Sequence, residues 1–245
     1  MRRFFIPNPL TSELIINGED AHHISRVLRM RPSDKILVID PEGKVAVTEI
    51  FCITENQVSC KVCEIVSEYS ESPIKVNLAQ CLPKSDKMDY IVQKAVELGV
   101  TNIYPIAAER SVVKYDKNKQ TARQERWQKI AVEASKQCRR SIVPKVEPIQ
   151  DIASMLSALD EKTVVIMLYE GIAQQGLKNL LAECHAKEYL ILIGPEGGFS
   201  SDEVKLCEQH KVHTVSIGPR ILRTETASLA AVSIVLYDKG DLGGS

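Results

Sequence analysis

The chain has 245 residues, 44% of them hydrophobic and 26% charged, with a formal net charge of -1. These proportions suit one large globular domain or two modest ones, and they exclude wholesale disorder, collagen-like repeats and coiled-coil composition. The near-zero total argues against a basic nucleic-acid-binding protein only until it is divided along the chain. Residues 1–72 carry net -3, residues 73–150 net +7 and residues 151–245 net -5. Arg110 to Lys145 alone hold 11 cationic and 3 acidic side chains, a local field suited to a polyanion, although a charge run taken alone is more often a solvated helix face.

Seven cysteines, at 52, 60, 63, 81, 138, 184 and 207, include one CxxC (Cys60, Cys63) and no second pair to complete a zinc site. No metal is expected, and the cysteines are expected to be reduced core residues. The basic start is interrupted by Pro7 and Pro9 before any apolar run of signal length forms, and the longest uncharged apolar stretch, Thr226 to Tyr237, is too short for a bilayer. A cytoplasmic enzyme or binding protein with no membrane partner is expected.

Residues 1–72 alternate short apolar runs with turns: 35–40, the turn Pro41-Glu-Gly43, 44–51 and 57–66. They predict a small β-barrel or sheet. One helix, Glu19 to Met30, is expected, with Asn17 as N-cap and Ile24, Val27 and Leu28 on one face. The polar segment Glu68 to Pro73 reads as a linker, giving domains 1–72 and 73–245. From Ile74 the rhythm changes to alternating strands (74–82, 102–107, 163–168, 188–193, 213–217) and helices (86–98, 121–138, 151–158, 176–185, 201–210, 225–237), which predicts an α/β parallel sheet covered by helices. Met88, Ile91, Val92, Ala95 and Val96 form one apolar helix face, and Gly99 is a helix stop.

Two segments carry the chemistry. Tyr189 to Ile193 is a fully apolar strand that ends in Gly194-Pro195-Glu196-Gly197-Gly198. A helix follows, opened by Ser200 and Glu203 at capping-box spacing and by a Phe199–Val204 staple. Glycines at the carboxyl end of a parallel strand let a ligand approach the backbone, although a tight turn alone would also use them. Ser216-Ile-Gly218-Pro-Arg220-Ile-Leu-Arg223-Thr-Glu225 is a second glycine-proline loop, and it brings two arginines and a glutamate to the start of the apolar last helix. Arg223 and Glu225 are equally readable as a helix-terminal ion pair. Neither GxGxxG nor GxxxxGK[ST] occurs, which disfavours dinucleotide dehydrogenases, P-loop NTPases and Rossmann-type methyltransferases.

Gly194 to Gly198, Ile217 to Ala227, Lys87-Met-Asp-Tyr-Ile-Val-Gln-Lys-Ala-Val-Glu-Leu-Gly99, Arg2-Arg-Phe-Phe5, His22 to Arg29, Arg110 to Val113, and Arg126 to Ala134 with Gln137-Cys-Arg139 closely resemble the RsmE family of 16S ribosomal RNA uridine-N3 methyltransferases, of the SPOUT class. The resemblance covers essentially the whole chain. It implies an N-terminal PUA-like β-barrel, a C-terminal SPOUT α/β domain with a trefoil knot spanning about 164–237, S-adenosylmethionine as donor, and a homodimer acting on 16S rRNA in the small ribosomal subunit. The donor site maps onto Leu168, Tyr169, Glu170, Gly194, Pro195, Glu196, Gly197, Gly198, Ile217, Gly218, Ile221, Leu222 and Arg223. Helix 225–237 is apolar around most of its circumference, so it must be buried in a core or at a partner.

Methyl transfer is an in-line displacement that depends on positioning, and N3 of uridine must lose a proton for its lone pair to attack. Arg223, Glu225 and Glu196 are the catalytic candidates. In this scheme Arg223 stabilises charge at a uracil oxygen, while Glu225 accepts the proton, orients Arg223 or has only a structural role. RNA contacts are expected from Arg2, Arg3, Arg26, Arg29 and Arg31, and from Arg110, Lys114, Arg123, Arg126, Arg139 and Arg140. Phe4, Phe5 and Trp127 are expected in the core. Competing readings are a SPOUT enzyme acting on another RNA or at a ribose 2'-hydroxyl, and a non-catalytic rRNA-binding assembly protein.

Overall fold

The computed structural model describes residues 1–54, 56–67, 71–171 and 175–243; part of the expected linker, residues 68–70, lies outside them. The chain divides into two compact units, Met1–Glu71 with Ser135–Ile142, and Ser72–Ala134 with Val143–Ser245.

In the first unit, β1 (Arg3–Phe5), β2 (Glu13–Asn17), β3 (Lys35–Ile39), β4 (Val45–Ile53) and β5 (Gln57–Val66) form a curled sheet in the order β1-β3-β4-β5-β2. The β1–β3 pair is parallel and the others are antiparallel. Alternate residues point inward: Leu14 and Ile16 of β2, Ile36 and Val38 of β3, and Val58 and Cys60 of β5 join Phe4 and Ile24 in one core. Each such side chain contributes about 1.5–3 kcal/mol through burial. The 41–43 turn is held by buried Asp40, whose carboxylate accepts the amides of Leu10, Glu42 and Lys44.

The expected single helix is replaced by a short α1 (Gly18–His22) that widens into a π-helical turn, His23–Val27. Asn17 sits at the N-cap but makes no side-chain cap bond. The π turn spaces residues more widely than 3.6 per turn, so Ile24 stays buried while Val27, expected beside it, is 60% exposed. The cysteines also depart from expectation: Cys60, Cys81 and Cys207 are buried, whereas Cys52 and Cys63 are exposed. Burial pushes the Cys60 thiol up to about 11 and the Cys207 thiol up to about 12, leaving both protonated at neutrality.

The second unit contains β6 (Lys75–Cys81), β7 (Asn102–Ile106), β8 (Lys145–Val146), β9 (Val164–Leu168), β10 (Gln175–Gly176), β11 (Glu188–Ile193) and β12 (His213–Ser216), all parallel, in the order β10-β12-β9-β11-β6-β7-β8. The helices are α2 (Lys87–Leu98), α3 (Lys117–Cys138), whose last turn clusters with the first unit, α4 (Ile152–Ala158), α5 (Leu177–Glu183), α6 (Ser201–Gln209) and α7 (Thr224–Asp238). Period-two alternation divides the sheet between two cores. Tyr189, Ile191 and Ile193 of β11 and Val76 and Leu78 of β6 face α2 and α7, while Leu190, Leu192, Ala79 and Cys81 face the opposite layer with Met155 and Phe199. Met88, Ile91, Val92, Ala95 and Val96 are the buried face of α2, which Gly99 terminates. Trp127 and Phe4 are buried, and Phe5 is half-buried.

Candidate functional site

Because β12, β9 and β11 are parallel neighbours, their carboxyl ends lie along one edge of the sheet, where ligands of open α/β sheets collect. The loops that leave them, 168–171, 194–200 and 217–223, close one cavity of about 720 Å³, in the range of small-molecule sites. All thirteen residues expected at the donor site line it, joined by Arg110, Phe199, Arg220 and Thr224. Gly198 and Gly218 have φ of +68° and +136°, conformations that a side chain strains, so the loops turn there at low cost. Ser200 and Glu203 form the expected capping box, and Phe199 and Val204 pack in one core.

Beneath the cavity lies a buried polar clasp that sequence reasoning missed. Gln80, on the α7-facing side of β6, donates Nε2 to Thr224 Oγ1 at 2.9 Å, and that hydroxyl donates to the carbonyl of Gly194 at 2.8 Å. The Ser228 hydroxyl sits between the Thr224 carbonyl, at 2.7 Å, and Gln80 Oε1. The first turn of α7 is thereby fastened to the glycine-rich loop.

A second, ionic clasp lies at the cavity's edge. Lys87 Nζ is 3.0 Å from Glu196 Oε1 and 3.0 Å from Glu225 Oε2. The Lys84 amide also donates to the Glu196 carboxylate. Burial pushes both carboxyls up, but their own backbone amides and the Lys87 ammonium outweigh it, with Lys84 helping at Glu196 and Arg223 at Glu225, so each is held below the usual carboxylate range. The two carboxylates in turn raise Lys87. Lys87 was not among the expected site residues. It is the first residue of α2, where the helix dipole disfavours a cation, and that local violation was the available signal.

Arg223 occupies the N-cap position of α7 with an exposed side chain, lines the cavity, and makes no side-chain hydrogen bond or ion pair among the described residues. Of the two readings of Arg223 and Glu225, the helix-terminal ion pair is not found among the described residues; Glu225 pairs with Lys87 instead.

The arginines expected at RNA separate into groups. In the first unit Arg2, Arg26, Arg29, Arg31 and Arg139 are exposed, and Arg3 is half-buried with NH1 donating to the Arg139 carbonyl. Arg140 is a correction: it is 5% exposed and its guanidinium is bonded to Glu71, NH2 to Oε2 at 2.6 Å, so burial removes it from any RNA-facing surface. In the second unit Arg126 is ion-paired to Asp89, whose other oxygen accepts Trp127 Nε1. Arg123 lies over the Tyr115 ring, and Lys114 is exposed. Arg110 belongs to the cavity, donating to the Gly197 carbonyl at 3.3 Å. Among the described residues no three His, Cys, Asp or Glu side chains assemble as a metal site requires, and no helix is long and apolar enough to cross a membrane.

A parallel sheet with a cavity built from three strand-end loops, in a chain that also carries a small curled sheet, defines a two-part α/β protein with a small-molecule site at the strand ends. The chain belongs to the RNA methyltransferase family: residues 70–236 match the RNA methyltransferase domain and residues 16–63 the RNA methyltransferase PUA domain. It is 39% identical to the ribosomal RNA small subunit methyltransferase E of Bacillus subtilis, over 100% of this chain and 99% of that protein. With the protein of the same description from Aquifex aeolicus it shares 33% identity over 91% of this chain and 93% of the relative. The crystal structure of a ribosomal RNA small subunit methyltransferase E from Neisseria gonorrhoeae bound to S-adenosyl methionine superposes with a TM-score of 0.86 at 31% identity, covering 96% of each chain.

Proposed function

We propose that this chain transfers the methyl group of S-adenosylmethionine to N3 of one particular uridine in 16S rRNA of the small ribosomal subunit, acting as a cytoplasmic homodimer. The observation that carries this reading is the convergence of three strand-end loops on one backbone-lined cavity, in a chain 39% identical along its whole length to a small-subunit rRNA methyltransferase. The lining fits such a donor. The Gly194–Gly198 and Ile217–Leu222 backbones offer amides and carbonyls to adenine and ribose edges, and the Glu170 and Glu196 carboxylates complement a cationic sulfonium. When bound, the donor supplies an electrophilic methyl group.

The chain's own residues then orient the acceptor and stabilise its charge. Arg223, with no side-chain hydrogen bond or ion pair among the described residues, faces the developing negative charge on a uracil oxygen and favours release of the N3 proton. Glu196 and Glu225, ionised below the usual range and committed to Lys87, are weak proton acceptors, so in this mechanism the proton passes to solvent and Glu225 holds α7 in place.

Dimerisation is supported by α7, which buries Ala231, Val232, Val235 and Leu236 yet leaves Tyr237 69% and Ile234 39% exposed. The knot is supported by the route of the chain, which leaves β12 on the far side of β9 and returns to set α7 against β11, β6 and α2. The test is purified protein with labelled donor and undermodified small subunits, the product being identified by nucleoside mass spectrometry. N3-methyluridine is expected; a ribose-methylated product or none would overturn the assignment.

A further inference from the structure

Lys87 joins three segments that are distant in sequence: the start of α2, the glycine-rich loop after β11 and the first turn of α7. Each carboxylate has an oxygen 3.0 Å from the same ammonium, so these oxygens lie within twice that distance of each other, close enough for strong repulsion without the cation between them. The other charged groups at this point are Arg223, two residues before Glu225, and Lys84, whose amide caps Glu196. Glu225 Oε2 is buried, 3.0 Å from the Lys87 ammonium that compensates its charge. On one side this charge cluster adjoins Glu196 in the cavity wall, and on the other the helix end that carries Arg223.

We propose that Lys87 is a positioning residue of the methyl-transfer site, acting through Glu196 and Glu225 to hold the glycine-rich loop and the Arg223 turn in their closed arrangement. The proposal rests on the donor-binding reading above. Removing the ammonium while leaving both carboxylates converts the clasp into a like-charge pair that pushes the two loops apart. Protonating either carboxylate relieves that pressure, so the defect must depend on pH in a way that loss of an ordinary packing contact would not.

Three full-length variants test this: Lys87→Met, Lys87→Arg, and Lys87→Met combined with Glu196→Gln and Glu225→Gln. Calorimetry with S-adenosylmethionine is expected to show Lys87→Met binding about tenfold more weakly at about pH 8, with the deficit shrinking toward about pH 5, and Lys87→Arg within about threefold of wild type throughout. Hydrogen exchange without donor is expected to show lost protection of the 194–198 and 217–225 amides in Lys87→Met, and recovery in the triple variant, whose cluster is uncharged. A deficit constant across pH, or exchange unchanged by Lys87→Met, would overturn the proposal. Should the wild type bind no donor, the functional reading fails while the exchange data still decide the role of Lys87.

Discussion

Arg223 and Glu225, two residues apart, have opposite commitments. The arginine is exposed at the cavity with no hydrogen bond or ion pair among the described residues, so Arg223→Ala is expected to leave the unfolding midpoint nearly unchanged and to lower the single-turnover methylation rate by about 10²–10³-fold, the range for removal of one preorganised charge-stabilising group. The glutamate and its companion Glu196 are part of the scaffold. Their folded-state carboxyls titrate below the unfolded value of about 4.5, so the stability they contribute is complete above that value and is lost as pH falls through the depressed ones. The Glu196→Gln, Glu225→Gln double variant should therefore show a flatter loss of stability than wild type in acid denaturation below about pH 4.5. The two glycine-proline loops were legible in the sequence because each is continuous and bounded by strand and helix signals, whereas Leu168, Tyr169 and Glu170 were placed there only by the family resemblance. Lys87 was not, because it stands 109 residues from Glu196 and only the sheet order makes them neighbours.

Among the elements, helices with a clear 3.6-residue apolar repeat were placed within a few residues of their observed bounds, α2, α4 and α6 within one residue. The unassigned pieces were β1, β2, β8 and β10. Three of them have only two or three residues and are held by backbone pairing with a neighbour, which leaves no periodicity to read. Polar contacts between elements are equally silent in sequence, and the Gln80–Thr224–Gly194 chain is the case that matters here. Thr224→Val preserves shape but removes the hydroxyl that accepts from Gln80 Nε2 and donates to the Gly194 carbonyl, while Gln80 Nε2 keeps its bond to the Cys81 carbonyl, for an expected loss of about 1–2 kcal/mol by urea denaturation. Weaker donor binding should accompany it, since the same hydroxyl fastens α7 to the glycine-rich loop.

Across the whole molecule, the segmental charge in the sequence located a basic region at 73–150, but the sequence alone could not separate arginines facing solvent from those used internally, inside that region or before it. Arg29 and Arg140 make the contrast measurable. Removing exposed Arg29 should weaken RNA binding and reduce the salt dependence by about one phosphate contact, with folding unchanged. Arg140→Ala should leave that slope intact and cost about 1–3 kcal/mol of stability, because partly exposed Glu71 loses its guanidinium but keeps the Ser141 and Ile142 amides. The alternation of strands and helices was enough to give the parallel sheet, whereas the order of its strands and the packing of α7 against β6 depend on long-range contacts, which no local pattern encodes.

The placement of β11 between β9 and β6 also bears on biosynthesis. Asn77 of β6 meets Glu188 of β11 across 111 residues, so the centre of the sheet cannot close until nearly four-fifths of the chain exists. At about 5–20 residues per second the ribosome takes roughly 6–20 s to cover that interval. During that wait β6 lacks its pairing with β11, so the parallel central pairing is expected to be the slow step of refolding.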